Sequence, residues 1–263
     1  MSYIQAVLLG ALQGFSEFLP VSSSGHLAVI ESFMNLQEVP VLFDILLHIS
    51  TLFVVLIVFR KRILGIIFSL FKRAAKTEED KANIKLFLMI LVSTLFTGVI
   101  GLFLNGFGVE KYLFIIYIFF IVTGFLLIGT RFWGGKIDYN NIGLKQGVII
   151  GISQGLGVLP GISRSGITIS AALFSGMNRE KAGEYSFLIS VPAILGAFLL
   201  ELKDVSSLVS MVDPIVIAAG MVSAFAIGLF SLNILLKLIK NGKLYLFSIY
   251  LIPLGIVGLL FFR

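Results

Sequence analysis

Apolar runs long enough to cross ~30 Å of hydrocarbon as helices recur six times along the chain, at about 40–59, 86–104, 112–130, 183–200, 214–236 and 244–262. With 58% of its residues hydrophobic and only 13% charged, the chain carries more apolar surface than a soluble core of 263 residues can bury. Its solvent must be lipid. The runs are rich in Leu, Ile, Phe and Gly and lack the short alternation of polar and apolar positions that marks a membrane barrel, so they read as helices. The net charge of +6 does not point to nucleic acid, because the basic residues lie beside span ends instead of forming one surface stripe. No signal peptide is expected, since the N-terminal stretch lacks a basic leading region and Glu17 interrupts the apolar run. Without cysteine there is no disulfide or thiolate site.

Lys and Arg gather at 60–85, 131–145, 179–181 and 237–243, and the positive-inside rule makes these segments cytoplasmic. The longest of them, 60–85, carries Arg60-Lys61-Arg62, Lys72-Arg73, Lys76, Glu78-Glu79-Asp80 and Lys81, and reads as an interfacial helix and turn in a cytoplasmic basic loop. The six spans then alternate in direction consistently. Two other segments, 1–34 and 146–177, are apolar but broken at the middle by Pro, Gly and Ser, and each is expected to be a re-entrant hairpin. The first precedes a span that starts outside, so it enters from outside. The second lies between two cytoplasmic segments, so the two hairpins point at each other.

The hairpins also match in sequence. At one constant offset Val7 meets Val148, Gly10 meets Gly151, Gln13-Gly14 meets Gln154-Gly155, Ser22 meets Ser163, and Ser24-Gly25 meets Ser165-Gly166. Pro20 and Pro160, which break the two segments, differ by one position. Three spans follow each hairpin. The expected fold is therefore an all-α polytopic membrane protein, six transmembrane helices plus two re-entrant helical hairpins, forming one membrane domain. Repeat one covers 1–130 and repeat two 142–263, in inverted topology.

That architecture places binding sites where broken helices meet. After the prolines, the Ser-rich turns are suited to cap new helices over about 23–34 and 164–176, whose free N–H groups and positive dipole ends attract an anion such as phosphate. Arg164 stands at the second of these, and a buried arginine needs a partner. An ion pair to Glu17 would hold the hairpins together, and the guanidinium fork also suits phosphate oxygens. Gln13 and Glu17 share a helix face. By spacing, His26 shares a face with Ser22 and Ser23, so acid, imidazole, hydroxyl and guanidinium are expected in one small volume, a set that fits phosphoryl transfer. Asp44 with His48, and Glu184 at the start of a span, are weaker signals that read as packing or hydrogen-bonding residues.

Three stretches, Gln13-Gly-Phe-Ser-Glu17, Phe-Leu-Pro20-Val-Ser22-Ser23-Ser24-Gly25-His26 and Pro160-Gly-Ile-Ser163-Arg164-Ser165-Gly166, closely resemble the undecaprenyl-diphosphate phosphatase (bacitracin-resistance) family of bacteria. The resemblance runs along the whole chain and includes Phe43-Asp44, Leu47-His48 and the stretch from Glu184 to Pro192. It implies hydrolysis of undecaprenyl diphosphate to the monophosphate and phosphate in the bacterial inner membrane, recycling the lipid carrier of cell-wall synthesis, with dependence on a divalent cation, Mg2+ or Ca2+. Family motifs put functional residues on Gln13, Glu17, Ser22, Ser23, His26 and Arg164. Many members carry two glutamates in the first motif where this chain has Gln13 and Glu17, which removes one anionic metal ligand and leaves Glu17 as the metal candidate.

On this reading Glu17, Ser23, His26 and Arg164 are the catalytic candidates. Gln13, Ser22, Ser24, Gly25, Ser163, Ser165 and Gly166 are the substrate-binding ones. Ser23 is the expected nucleophile with His26 or Glu17 as base, and direct attack by water stays open. The site is expected to open to the exoplasmic side. Expected partners are a polyprenyl diphosphate lipid, the bilayer and a second copy in a homodimer, with no nucleic acid. A transporter or flippase of polyprenyl phosphate is the alternative reading, because inverted repeats with broken helices are common in carriers.

Overall fold

In the computed structural model, which describes residues 1–34, 36, 42–72, 76–105, 107–109, 112–202 and 210–261, the elements are helical. The first half of the chain contributes α1 (Tyr3–Phe18), α2 (Ser23–Phe33), α3 (Leu42–Val58), α4 (Arg60–Phe71), α5 (Glu78–Asn105) and α6 (Leu113–Gly129). The second half contributes α7 (Leu144–Leu156), α8 (Arg164–Phe174), α9 (Arg179–Glu201), α10 (Pro214–Lys240), a 3-10 turn at Leu244–Phe247 and α11 (Ser248–Phe261). Among the described residues the only β pairing is an isolated bridge between Ile137 and Met177.

Four helical stretches, Glu78–Leu104, Arg179–Glu201, Pro214–Lys240 and Leu244–Phe261, are long and apolar enough to cross a membrane. A fifth is added if α3 and α4, bent by 73° at their junction, count as one span, and α6 is a shorter apolar helix. The chain is a multi-pass membrane protein. Its surface agrees, with Leu95, Val99, Leu102 and Phe103 exposed on α5 and Ile215, Val222 and Phe230 on α10, while Gln13, Ser93, Thr123, Gln154 and Thr168 are buried. Residues 40 and 41 of the first expected span, 262 of the last, and Arg73 of the basic segment lie outside the described residues.

The segment expected to be an interfacial helix and turn begins as α4, which Arg60, Lys61 and Arg62 open and on which Leu64, Ile67, Phe68 and Phe71 are exposed. Where the apolar run predicts a span from 86, α5 begins at Glu78. The cause is local: the Thr77 backbone N–H donates to Asp80 Oδ2 at 2.7 Å and the Asp80 N–H to Thr77 Oγ1 at 3.2 Å, a reciprocal cap, with three acids in the first turn. Glu184 pairs with Arg62 at 2.5 Å and Lys181 at 2.9 Å, tying α9 to α4.

Both broken segments form helix, turn, helix. α1 and α2 flank Pro20 and α7 and α8 flank Pro160, and the second-helix starts, Ser23 and Arg164, stand at the offset of the sequence match. Each first helix packs along a long helix from the opposite half, α1 on α10 and α7 on α5. The matched glycines make this possible. A Cβ on Gly10 would lie 2.1 Å from the Gly220 carbonyl oxygen and one on Gly14 2.4 Å from that of Ala224. On the other side, a Cβ on Gly151 would meet Ser93 backbone at 2.7 Å and one on Gly155 the Ile100 Cβ at 2.6 Å. Small residues let helix axes approach closely where lipid offers no hydrophobic drive for association.

This contact yields a paired expectation. Gly14→Ala should lower the melting temperature of the detergent-purified protein or abolish folded yield. Gly98→Ala on α5, where a Cβ meets nothing within 4 Å, should be neutral or stabilising by up to about 1 kcal/mol, the glycine penalty in a helix. Equal tolerance at both positions in thermal melts would exclude the close packing of α1 on α10.

Candidate functional site

The two breaks satisfy each other. Ser22, the N-cap of α2, has φ 70°, the one non-glycine residue with positive φ among the described residues. Such backbone costs of order 1–3 kcal/mol and persists where surroundings over-determine it. Here the Ser22 Oγ accepts from its own helix, Gly25 N–H at 3.3 Å, and from the other hairpin, Gly161 N–H at 3.0 Å. In return the Ser165 hydroxyl donates to the Phe18 carbonyl at 3.3 Å. Ser163 caps α8 through Gly166 N–H at 3.1 Å, and its backbone φ of −71° is unstrained. From α6, the Thr123 hydroxyl donates to the Gly161 carbonyl at 3.1 Å and accepts from Ser163 N–H at 3.2 Å. Gly25 has no room for a side chain, since a Cβ would stand 2.8 Å from Gly161 N.

The last turn of α1 carries Glu17 into this junction. Its Oε2 accepts from Gln13 Nε2 at 3.1 Å and from the Ser23 hydroxyl at 2.7 Å, and its Oε1 pairs with Arg164 Nη2 from the opposite hairpin. Gln13, Glu17 and Ser23 are buried. Acid, hydroxyl and guanidinium thus meet as the spacing predicts. So does the ion pair between hairpins. Ser24 is half-buried in the first turn of α2.

The imidazole that reaches this group belongs to His48, whose Nε2 lies 3.3 Å from Glu17 Oε2. His26 turns elsewhere. Its Nδ1 bonds back to the Ser22 carbonyl at 2.8 Å and its Nε2 to the Tyr250 hydroxyl at 2.8 Å, with the Phe120 ring 4.9 Å away. A carbonyl only accepts, so Nδ1 carries the proton and in the neutral ring the bare Nε2 accepts from Tyr250. The Asp44 and His48 spacing was a readable signal for the second imidazole, and Thr123, a small hydroxyl in an apolar helix, for the brace. Tyr250 carried none.

The donor set does not fit a resident divalent cation. Among the described residues no three His, Cys, Asp or Glu side chains come together to hold a metal. Glu17, the carboxylate that α1 brings to the junction, is taken up by Arg164, Ser23 and Gln13. Gln13 Oε1 is buried without a hydrogen-bond partner, but so is Oε1 of Gln154, the matching residue of the second hairpin, which lacks the acid, so this orphan does not signal an ion.

The model of the bacitracin resistance protein BacA family matches residues 6–257. An undecaprenyl-diphosphatase of Treponema denticola is 53% identical, covering 97% of this chain and 96% of its own length. Enzymes of the same name from Borrelia recurrentis and Alkaliphilus metalliredigens are 41% and 42% identical, with 98% or more of both chains covered.

Because Glu17 is buried and Arg164 half-buried against it, removing the guanidinium strands a buried carboxylate. Arg164→Ala should destabilise the protein by about 3–5 kcal/mol, and adding Glu17→Gln should return part of that loss. Thermal melts of both variants check it, and a double variant no more stable than the single one would contradict the pairing.

Proposed function

Because the chain belongs to the bacitracin resistance protein BacA family, we propose that it is an undecaprenyl-diphosphatase: it hydrolyses undecaprenyl diphosphate to undecaprenyl phosphate and inorganic phosphate. The reaction recycles the lipid carrier of cell-wall synthesis. The observation that carries this reading is the Ser23 hydroxyl hydrogen-bonded to Glu17 beside Arg164, where two broken helices meet.

Ser23 is the nucleophile in this proposal, and its 2.7 Å contact with Glu17 supports that carboxylate as the base. The alternative base, His26, has its bare nitrogen on Tyr250, which supports a placing role at the rim. The terminal phosphate lies between the starts of α2 and α8, in contact with their backbone N–H groups. Arg164 has five N–H donors, more than Glu17 can use, and the remainder bind phosphoryl oxygens and offset charge that grows in the transition state. Ser22, Gly25, Ser163, Ser165 and Gly166 hold the two turns at contact distance, so their part in substrate binding is to shape the cradle. Ser24 and Gln13 line it. Mg2+ or Ca2+ would accompany the diphosphate as its counter-ion and offset part of its charge.

In the membrane, α1–α2 and α7–α8 are re-entrant hairpins of an inverted repeat and the remaining apolar helices give six spans, α4 lying in the cytoplasmic interface. The first hairpin enters from outside, so the site opens to the exoplasmic face of the bacterial inner membrane. The fold alone suits a carrier equally well, but the serine-carboxylate-guanidinium set and the named relatives favour hydrolysis.

Purified protein given a polyprenyl diphosphate should release phosphate, and Ser23→Ala, Glu17→Ala and Arg164→Ala should each lower the rate on the order of 100-fold or more. Folded wild-type protein releasing none would reject the enzyme. For topology, Ser2→Cys and Asn140→Cys are made in a chain without native cysteine. An impermeant maleimide applied to intact cells should label position 2 and not 140, and the reverse pattern would reject an exoplasmic opening.

A further inference from the structure

The contact between His48 and Glu17 is outside the set of residues that the sequence motifs nominate. His48 Nδ1 lies 2.8 Å from the Asp44 carbonyl, one helical turn back. Because a carbonyl only accepts, Nδ1 carries a hydrogen, and Nε2 of the neutral ring is a bare lone pair. That nitrogen stands 3.3 Å from Glu17 Oε2. The two acceptor positions of Oε2 are filled by the Gln13 amide at 3.1 Å and the Ser23 hydroxyl at 2.7 Å. His48 therefore adds no needed donor to the resting carboxylate. It adds an acceptor. The acceptor becomes useful once a proton sits on Oε2, which is the state that deprotonation of Ser23 creates.

The internal repeat supplies a control. At the offset that pairs Ser22 with Ser163, Glu17 corresponds to Val158 and His48 to Ile189. The Ile189 backbone lies against its own hairpin, for Gln154, the counterpart of Gln13, donates to the Ile189 carbonyl at 3.2 Å. The second half therefore carries an aliphatic residue at the matching position. The imidazole occurs in the half that has the acid.

Resting on the hydrolase reading, we propose that His48 is a positioning residue that takes from Glu17 the proton released by Ser23. As Ser23 Oγ bonds to the terminal phosphorus, the bond from that phosphorus to the bridging oxygen breaks and the lipid monophosphate leaves as an anion. The hydroxyl proton passes to Glu17 Oε2 and on to His48 Nε2, so Glu17 is again a carboxylate. Water then attacks the phosphoserine, its proton goes through Glu17 to the departing Ser23 Oγ, and phosphate is freed. The proton left on His48 is the one the overall hydrolysis releases to solvent.

The test compares His48→Gln and His48→Ala in phosphate-release kinetics on detergent-purified protein, with thermal melts alongside. Glutamine can hydrogen-bond to Glu17 but takes up no proton at neutral pH. Both variants should melt close to wild type and keep KM within a few-fold, while kcat falls on the order of 100-fold. Added imidazole should recover part of the rate in His48→Ala and none in His48→Gln, where the space is filled. A His48→Gln enzyme with wild-type kcat would overturn the proposal, as would a loss confined to KM or an alanine variant that imidazole does not rescue. If one variant fails to fold, the other decides by the same criteria. An inactive wild-type control would instead reject the hydrolase reading itself, and the proposal with it.

Discussion

A helix broken in a buried place exposes backbone N–H and C=O groups with no water to satisfy them, and each costs free energy comparable to a lost hydrogen bond. This chain contains two such breaks, and the rest of the structure follows from bringing them together. Ser22 satisfies Gly161, Ser165 satisfies Phe18, and Thr123 bonds the Gly161 carbonyl and the Ser163 amide of the second turn. The glycines serve the same end. Gly10 and Gly14 let α1 lie against α10, Gly151 and Gly155 let α7 lie against α5, and Gly25 lets one turn reach the other.

The junction is symmetric in backbone and asymmetric in chemistry. Both turns use a serine N-cap and a following glycine, but Ser23 in the first corresponds to Arg164 in the second, Glu17 to Val158 and His48 to Ile189. One half presents the anion and the hydroxyl, the other the cation, so the ion pair that fastens the hairpins also assembles the proposed site. Strain is distributed in the same way. The positive φ falls on Ser22 in the first turn and on Gly161 in the second, where glycine takes it without steric cost.

Much of this was legible in one dimension. Hydropathy located the long apolar helices to within a few residues at most ends, and the exceptions have local causes, as at α5, where Thr77 and Asp80 cap the helix ahead of the apolar run. The match between the two hairpins identified Ser23 and Arg164 as equivalent helix starts, and the spacing of Gln13 and Glu17 put both on one face. These are periodic or local properties, set by helix geometry and caps.

The tertiary structure alone decided which imidazole meets the acid. His26 lies near the serines in sequence, but its ring folds back onto the Ser22 carbonyl and is held by Tyr250, whereas His48 reaches Glu17 because α3 packs beside α1. It also decided that Thr123 braces the second turn. Sequence spacing determines which residues share a face of one helix. Which face meets which neighbour depends on how closely helices can pack and on which buried polar groups must find partners, and those conditions are met only by the whole assembly.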